Sequence, residues 1–289
     1  MPEISEFPAL YRSADKHSAI SQRDYFWSLR MEYVILITCA AMSVNQVSFS
    51  SYYYLYTVLF VLALALFVWR YANKPEKDWY QFRALAESVK TSSWRFCMRS
   101  SPFDDEFDAS AISDFQTHLK KILATNQFAG TRLPPDFAAE NQVTSSMLAC
   151  RLLSLSRRMA IYETERIQEQ RNWYAVKGGT NKRVVRRWVF FCITIYSLAI
   201  ISSLTRAANP ELTWLPTEVF IAIASSVVGW IQIKKFNELA ASYNLTAHEI
   251  GILHGSFRGI TAESDFSAFV NEAEQAFSRE HTQWVARIS

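Results

Sequence analysis

The sequence predicts an all-α polytopic membrane protein, with four transmembrane helices in two hairpins and a helical cytoplasmic region. Half of its 289 residues are apolar, and only 7 glycines and 8 prolines are present. So few helix breakers favour long helices over a turn-rich β fold. Four long apolar runs follow one another, and Lys and Arg accumulate at matching ends of these runs, which is typical of membrane spans with a defined orientation.

The first hairpin is predicted from the runs Tyr33–Phe49 and Tyr52–Trp69. Tyr52–Trp69 carries no charge, and its roughly 18 residues extend about 27 Å as a helix, close to the thickness of the hydrocarbon core. Polar residues dilute Tyr33–Phe49, which we interpret as a span because of its hairpin spacing to the next run. Asn45 lies within it, and since a polar side chain is costly in hydrocarbon, we expect it to face the bundle interior, water or the interface.

The second hairpin is predicted from Val189–Leu204 and Trp214–Ile233. Glu218 is the one charged residue of the latter run, and a charge is costly in hydrocarbon. We expect it either to lie at the outer interface, because Trp214 is close to it, or to face a pore. Small residues recur in this run at spacings of three to four: Ala222, Ser225 or Ser226, and Gly229. They allow helices to approach closely, or alternatively the serine hydroxyls line an ion path.

Charge at the ends of the spans predicts their orientation. The cytoplasmic flanks carry Arg23, Arg30, Arg70, Lys74, Lys77, Lys182, Arg183, Arg186, Arg187, Lys234 and Lys235. The connection Val47–Ser51 has no charge, and Thr205–Thr213 has one basic residue balanced by one acidic residue. By the positive-inside rule, both termini and the region between the hairpins are cytoplasmic.

The spans divide the chain into residues 1–70 with the first hairpin, 71–187 as a helical cytoplasmic region, 188–233 as the second hairpin, and 234–289 as C-terminal cytoplasmic helices. Helical periodicity predicts an apolar stripe from Trp79 to Phe96 and another from Ile112 to Ile122, followed by a loop over Asn126–Pro135. A third stripe comprises Leu148, Leu152, Leu155, Met159 and Tyr162. One further helix is expected to about Phe257. A last one begins near Thr261 and carries an apolar stripe on one face: Phe266, Phe269, Val270, Ala273, Phe277 and Trp284.

Enzymatic and metal-binding classes find no support in the sequence. The formal net charge of +3 provides no global basic field for duplex nucleic acid. The five histidines and four cysteines lack the paired spacing of metal ligands. No nucleotide-cleaving phosphate loop is present. We therefore expect no catalytic residues, no metal and no cofactor.

The segment before the third span resembles the signature of the SLATT family, a group of bacterial two-span proteins associated with nucleotide-signalled defence loci. It reads YETERIQEQRNWYAVKGGTNKRVVRRW from Tyr162 to Trp188 and contains the spacing RxxxQxxWYxxK. The tracts WYQFRALAESVKTSSWRF and FVNEAEQAFSREHTQW extend the resemblance over most of the chain. The chain is thus similar to a tandem, four-span member. Where the family continues with an alanine-rich helix, this chain has Gly178-Gly179, which predicts a helix break or hinge.

The resemblance implies a homo-oligomeric, pore-forming or membrane-disrupting effector of anti-phage defence in the bacterial inner membrane. A partner enzyme of nucleotidyltransferase type is expected to make the nucleotide or oligonucleotide signal. The alternative is a non-conducting, membrane-anchored scaffold that recruits a soluble partner.

The third stripe continues into polar residues, which suggests where such a signal binds. Arg166, Gln170 and Trp173 occupy successive positions of the stripe. In one interpretation these residues are solvated or set helix register. In the other they form a pocket between subunits, where Arg166 and Lys177 contact phosphate and Trp173 or Tyr174 stacks on a base.

Overall fold

The structure is a computed structural model that describes residues 6–44, 50–133 and 140–286. These residues form helices and contain no strand. The helices are α1 (Ala9–Val44), α2 (Ser50–Asn73), α3 (Pro75–Cys97), α4 (Asp108–Thr125), α5 (Ala129–Arg132), α6 (Ser145–Arg151), α7 (Leu155–Tyr162), a π-helix (Glu163–Gln168), α8 (Glu169–Ala208), α9 (Thr217–Lys234), α10 (Phe236–Phe257) and α11 (Glu263–Ala286).

Among the described residues, four helices are long and apolar enough to cross a membrane: α1, α2, α8 and α9. The predicted spans Tyr52–Trp69 and Val189–Leu204 lie wholly within α2 and α8. Helix α1 contains the first predicted span as far as Val44, where the described residues stop, and α9 begins at Thr217, three residues after the predicted start of the fourth span. The all-α membrane fold class is therefore confirmed. The first and third of these helices begin well before their apolar runs, at Ala9 and Glu169. Asn45 lies outside the described residues, as does most of the predicted outer connection that follows it.

The chain divides into two compact units, each assembled from separate segments. Unit 1 comprises Met1–Arg23, Pro75–Trp173 and Thr246–Ser289, and unit 2 comprises Asp24–Lys74 and Tyr174–Leu245. Unit 2 thus contains the apolar runs of both hairpins. Unit 1 contains the N-terminal segment, most of the predicted cytoplasmic region and most of the C-terminal helices.

In unit 1, α3 packs along α11. The predicted stripes of both helices are confirmed at the positions whose apolar side chains are buried: Phe82, Ala86, Val89 and Phe96 on α3, and Phe266, Phe269, Val270, Ala273 and Phe277 on α11. Trp79, at the start of the α3 stripe, is half-buried. The turn after α3 also contacts α11, where the Ser100 hydroxyl donates to the Ser267 carbonyl oxygen at 2.6 Å. Burial of two facing apolar stripes supplies the main stabilisation of this pair.

The third predicted stripe is wrong. The chain turns between Arg151 and Leu155, so α6 and α7 do not form one helix. Leu152, a predicted stripe member, is 63% exposed. The buried face instead carries Met147, Cys150, Arg151, Arg158, Ile161 and Tyr162. The two arginines occupy buried positions because backbone carbonyls and carboxylates accept hydrogen bonds from their guanidinium groups, which offsets the cost of burying charge.

The predicted helix break at Gly178-Gly179 is absent, because α8 is continuous from Glu169 to Ala208. Within unit 2, Gly178 lies against α10. A Cβ at Gly178 would lie 2.3 Å from Asn244 Oδ1 and 3.4 Å from the Ala240 carbonyl oxygen, whereas a Cβ at Gly179 would have nothing within 4 Å. Gly178 therefore permits a close approach of two helices, and Gly179 has no such packing role.

Two lysines mark corresponding positions in the two halves of the chain. Lys74 separates α2 from α3, and Lys235 separates α9 from α10. Each has a φ of 48°, in the left-handed region that is uncommon for residues with a side chain. Both follow the second span of a hairpin. This shared break supports an architectural duplication of a hairpin followed by cytoplasmic helix.

Candidate functional site

Unit 1 buries three arginines that follow one another along α6, α7 and the π-helix. Arg151, Arg158 and Arg166 are exposed by 0%, 2% and 1%. A buried guanidinium is tolerated only when it is paired and hydrogen-bonded. Their partners therefore show what each arginine holds in place.

The first two arginines fasten the turn that follows α3. The Arg151 guanidinium donates to the carbonyl oxygens of Phe96 and Phe103, at 2.9 and 2.8 Å, and forms an ion pair with Asp108 at 3.0 Å. Arg158 donates to the Met98 carbonyl oxygen at 2.7 Å and to both carboxylate oxygens of Glu263 at 2.6 and 2.7 Å. These contacts connect α6 and α7 to the end of α3 and the start of α11.

The third arginine forms the most deeply buried ion pair. Arg166 Nε and Nη2 donate to the two carboxylate oxygens of Glu274 on α11, at 2.8 and 2.7 Å, and Glu274 is 0% exposed. The Tyr162 hydroxyl donates to the same carboxylate at 3.0 Å. Burial alone would lower the pKa of Arg166, but the adjacent Glu274 carboxylate raises it overall. Burial, followed by the charge of Glu274, raises the pKa of Tyr162 well above its usual value.

Donors without acceptors lie near this ion pair. Arg166 Nη1 and Trp94 Nε1 are buried and have no hydrogen-bond partner within the described part of the chain. The Arg166 guanidinium carbon lies 5.9 Å from the centre of the Trp94 ring. Burial, followed by the positive charge of Arg166, lowers the pKa of Lys90. The site is rich in donors and cations and suits an acceptor such as water or an anion.

No catalytic arrangement emerges from these contacts. The buried carboxylate is neutralised by its arginine, and no side chain here is activated as a nucleophile by a neighbouring base. Among the described residues, no group of three His, Cys, Asp or Glu side chains is placed to hold a metal ion.

The five predicted signal-binding residues differ in burial and in their contacts within each unit. Arg166 is committed to Glu274, and Tyr174 is 2% exposed with its ring 5.6 Å from that of Tyr243. Both side chains therefore pack within the core of their own unit. Gln170 is half-buried, while Trp173 and Lys177 are exposed. These last three remain able to meet a ligand.

Two of the polar residues predicted in the second hairpin, Glu218 and Ser226, form an ion pair or a hydrogen bond within unit 2. Glu218 forms an exposed ion pair with Arg206 at 2.9 Å, across the turn between α8 and α9. The Ser226 hydroxyl donates to the Ala222 carbonyl oxygen of its own helix at 2.8 Å, and Ser225 is exposed. A Cβ at Gly229 would lie 2.7 Å from the Tyr33 hydroxyl. Close packing at Gly229 fits the small-residue interpretation of this stripe.

The sequence analysis missed Glu274, Arg151 and Arg158. A signal for Glu274 was available, because this charge follows Val270 by four residues and precedes Phe277 by three, on the apolar face of α11. A charge on such a face needs a buried partner. Arg166, which replaces an apolar residue on another stripe, was the matching candidate.

Two family models match the chain in tandem. The first, described as SMODS and SLOG-associating 2TM effector domain 3, matches residues 8–159, more than half of the chain. The second, described as SMODS and SLOG-associating 2TM effector domain 1, matches residues 162–284. No curated protein and no solved structure matches the chain.

Proposed function

Because the chain belongs to the SLATT family, with two effector domains in tandem, we propose that it is an oligomeric membrane effector of bacterial anti-phage defence. A nucleotide or oligonucleotide signal, made by a partner nucleotidyltransferase-type enzyme, acts on the cytoplasmic side. The response is a change in the permeability of the inner membrane. The protein itself carries out no catalytic step.

The observation that carries this proposal is the continuity of α8. Its first residues, from Glu169 to Trp173, belong to unit 1, and the remainder up to Ala208, with the third span, belongs to unit 2. A continuous helix is stiff over this length and transmits rotation or displacement along its axis. A signal that repositions the start of α8 is therefore able to move the span.

Oligomerisation is supported by the exposure of the spans. None of the most apolar window of the second span is buried within the chain, and at most 22% of such a window is buried in the other three. Four thin helices pack on one another but do not enclose a water path, so a pore requires several copies. Lipid covers whatever part of these surfaces other copies leave free.

The exposed start of α8 is the proposed signal-binding surface, with Trp173 as its centre. Trp173 is 38% exposed, which allows its ring to stack on a base. Gln170 lies one turn earlier in the same unit and offers an amide to a base edge. Arg166 supports this surface from the core through its ion pair with Glu274 and is not proposed as a ligand contact.

Liposome flux tests the proposal. Purified full-length protein is reconstituted, the product of the partner enzyme is added, and ion release is measured. We expect release that depends on the signal and that falls at least about fivefold in Trp173→Ala, since loss of base stacking costs ~1–3 kcal/mol. Phe107→Ala is the control, because Phe107 is an exposed aromatic elsewhere in unit 1. Absence of flux under all signals would favour a non-conducting scaffold.

A further inference from the structure

Unit 2 contains two cations that share one aromatic platform. The Arg30 guanidinium carbon lies 5.2 Å from the centre of the Trp230 ring, and Lys234 Nζ lies 5.3 Å from the same centre. Lys234 Nζ also lies 3.5 Å from the centre of the Phe26 ring. Phe26 and Trp230 contact each other edge to face, with centroids 5.6 Å apart. The platform thus joins α1 to α9.

Neither cation has an anionic partner. Within the described residues, the contacts of Arg30 and Lys234 are with aromatic rings, and no carboxylate pairs with either side chain. Several other arginines among the described residues pair with a carboxylate. Arg70 on α2, for example, forms an ion pair with Glu32 on α1. Two like charges held over one ring repel each other, and a bound anion removes this cost.

The position of the pair along the helices suggests where the anion comes from. Lys234 is the last residue of α9, and Arg30 lies one turn before the predicted start of the first span. Trp27, one turn before Arg30 on α1, is 55% exposed. Tryptophan is enriched at the level of the lipid headgroups. An exposed arginine and a half-buried lysine at this depth meet phosphate groups of the membrane surface.

We propose that Arg30 and Lys234, held over Trp230 and Phe26, form a binding site for one phosphate group, supplied by the headgroup of an anionic phospholipid. The planar guanidinium of Arg30 makes two parallel hydrogen bonds to phosphate oxygens. Lys234 adds a point charge, and the rings fix the alkyl stems of both side chains. This site goes beyond the proposed signalling function and does not depend on it.

Native mass spectrometry of the full-length protein in mild detergent tests the site, with phosphatidylglycerol and phosphatidylcholine offered in equal amounts. We expect the wild type to retain phosphatidylglycerol preferentially. Arg30→Gln/Lys234→Gln should reduce this preference about tenfold, equivalent to ~1.4 kcal/mol. The matched control is Arg186→Gln/Arg187→Gln, which removes the same charge from two exposed arginines next to the third span and should reduce the preference by clearly less than the site variant does.

A second arm distinguishes the source of the phosphate. Inorganic phosphate and 5′-AMP are added as soluble competitors, and we expect neither to displace the lipid. Displacement that is lost in the Arg30/Lys234 variant would support the phosphate site but assign it to a soluble ligand. Arg30→Lys/Lys234→Arg keeps both charges and should retain binding, while circular dichroism verifies that all variants are folded. Equal loss in the site variant and the Arg186/Arg187 control would overturn the proposal, because general surface charge would then explain the preference.

Discussion

Arg166 and Glu274 illustrate how a single residue pair organises unit 1. The pair is almost fully buried, with Tyr162 as a third member, so both charges depend on each other for solvation. Removing one partner leaves an uncompensated charge in the core, which is costlier than removing both. Arg166 therefore affects stability before it affects any signal.

We predict that Arg166→Ala and Glu274→Ala each lower the free energy of unfolding by about 3–5 kcal/mol, the usual cost of breaking a buried ion pair. Arg166→Met/Glu274→Leu, which leaves no unpaired charge, should lose clearly less than either single change. Denaturant unfolding of the purified protein in detergent measures the difference. Arg183→Ala is the control, because Arg183 is exposed. Single variants as stable as this control would show that the ion pair is not formed.

At the scale of elements, α8 and α10 approach each other at Gly178, and the two adjacent glycines have different roles. Gly178 faces Asn244 closely, whereas Gly179 faces open space. Because α8 is unbroken, Gly178-Gly179 is not a preformed hinge for movement of the third span. A hinge in a formed helix requires local loosening, and glycine lowers the cost of that loosening by about 1 kcal/mol relative to alanine.

We predict different effects of the two alanine substitutions on stability. Gly179→Ala should raise stability by up to about 1 kcal/mol, because alanine favours the helix and meets no neighbour. Gly178→Ala should be less stable than Gly179→Ala, since the new methyl group displaces the Asn244 side chain. Adding Asn244→Ala to Gly178→Ala should restore most of the difference. Thermal unfolding in detergent checks all three, and identical behaviour of the two glycine variants would contradict the close approach.

At the scale of the whole molecule, unit 1 is built from both family-matched domains. Helix α3 lies in the segment matched by the first model, and α11 lies in the segment matched by the second. Each covers the apolar stripe of the other. The tandem domains therefore depend on each other for folding, although each contributes its own hairpin.

We predict that residues 162–284 expressed alone do not fold stably, because Phe266, Val270 and Phe277 lose the apolar surface of α3. Co-expression with residues 8–159 should recover a soluble complex in detergent, since exposed apolar stripes drive re-association. Size-exclusion chromatography and helix content by circular dichroism provide the measurement. A monodisperse, helical 162–284 fragment would show that α11 does not need α3.

The predicted orientation is also testable at this scale. Because every basic flank lies at the same ends of the spans, Asn209→Cys should react with an impermeant thiol reagent in intact cells, and Leu152→Cys should react only after lysis. Both positions are exposed, and the native cysteines are buried. The reverse labelling pattern would contradict cytoplasmic termini.

Hydropathy and composition by themselves determined the helical class and the four apolar helices, and the motif between Tyr162 and Trp188 indicated the family. These properties are local: a run of apolar residues has the same preference for membrane wherever the chain places it. The stripes on α3 and α11 were equally predictable, because each is mostly apolar and its periodicity is that of one helix face.

Only the tertiary structure decided which charged side chains are buried and which of the two adjacent glycines lies against another helix. The stripe drawn through Leu152 was wrong because arginines with carbonyl and carboxylate acceptors took the buried positions, and those acceptors come from segments far away in the sequence. The partner of Arg166 lies 108 residues away, and Gly178 meets Asn244 from another helix. Such pairings depend on the relative placement of helices, which periodicity within one helix does not contain.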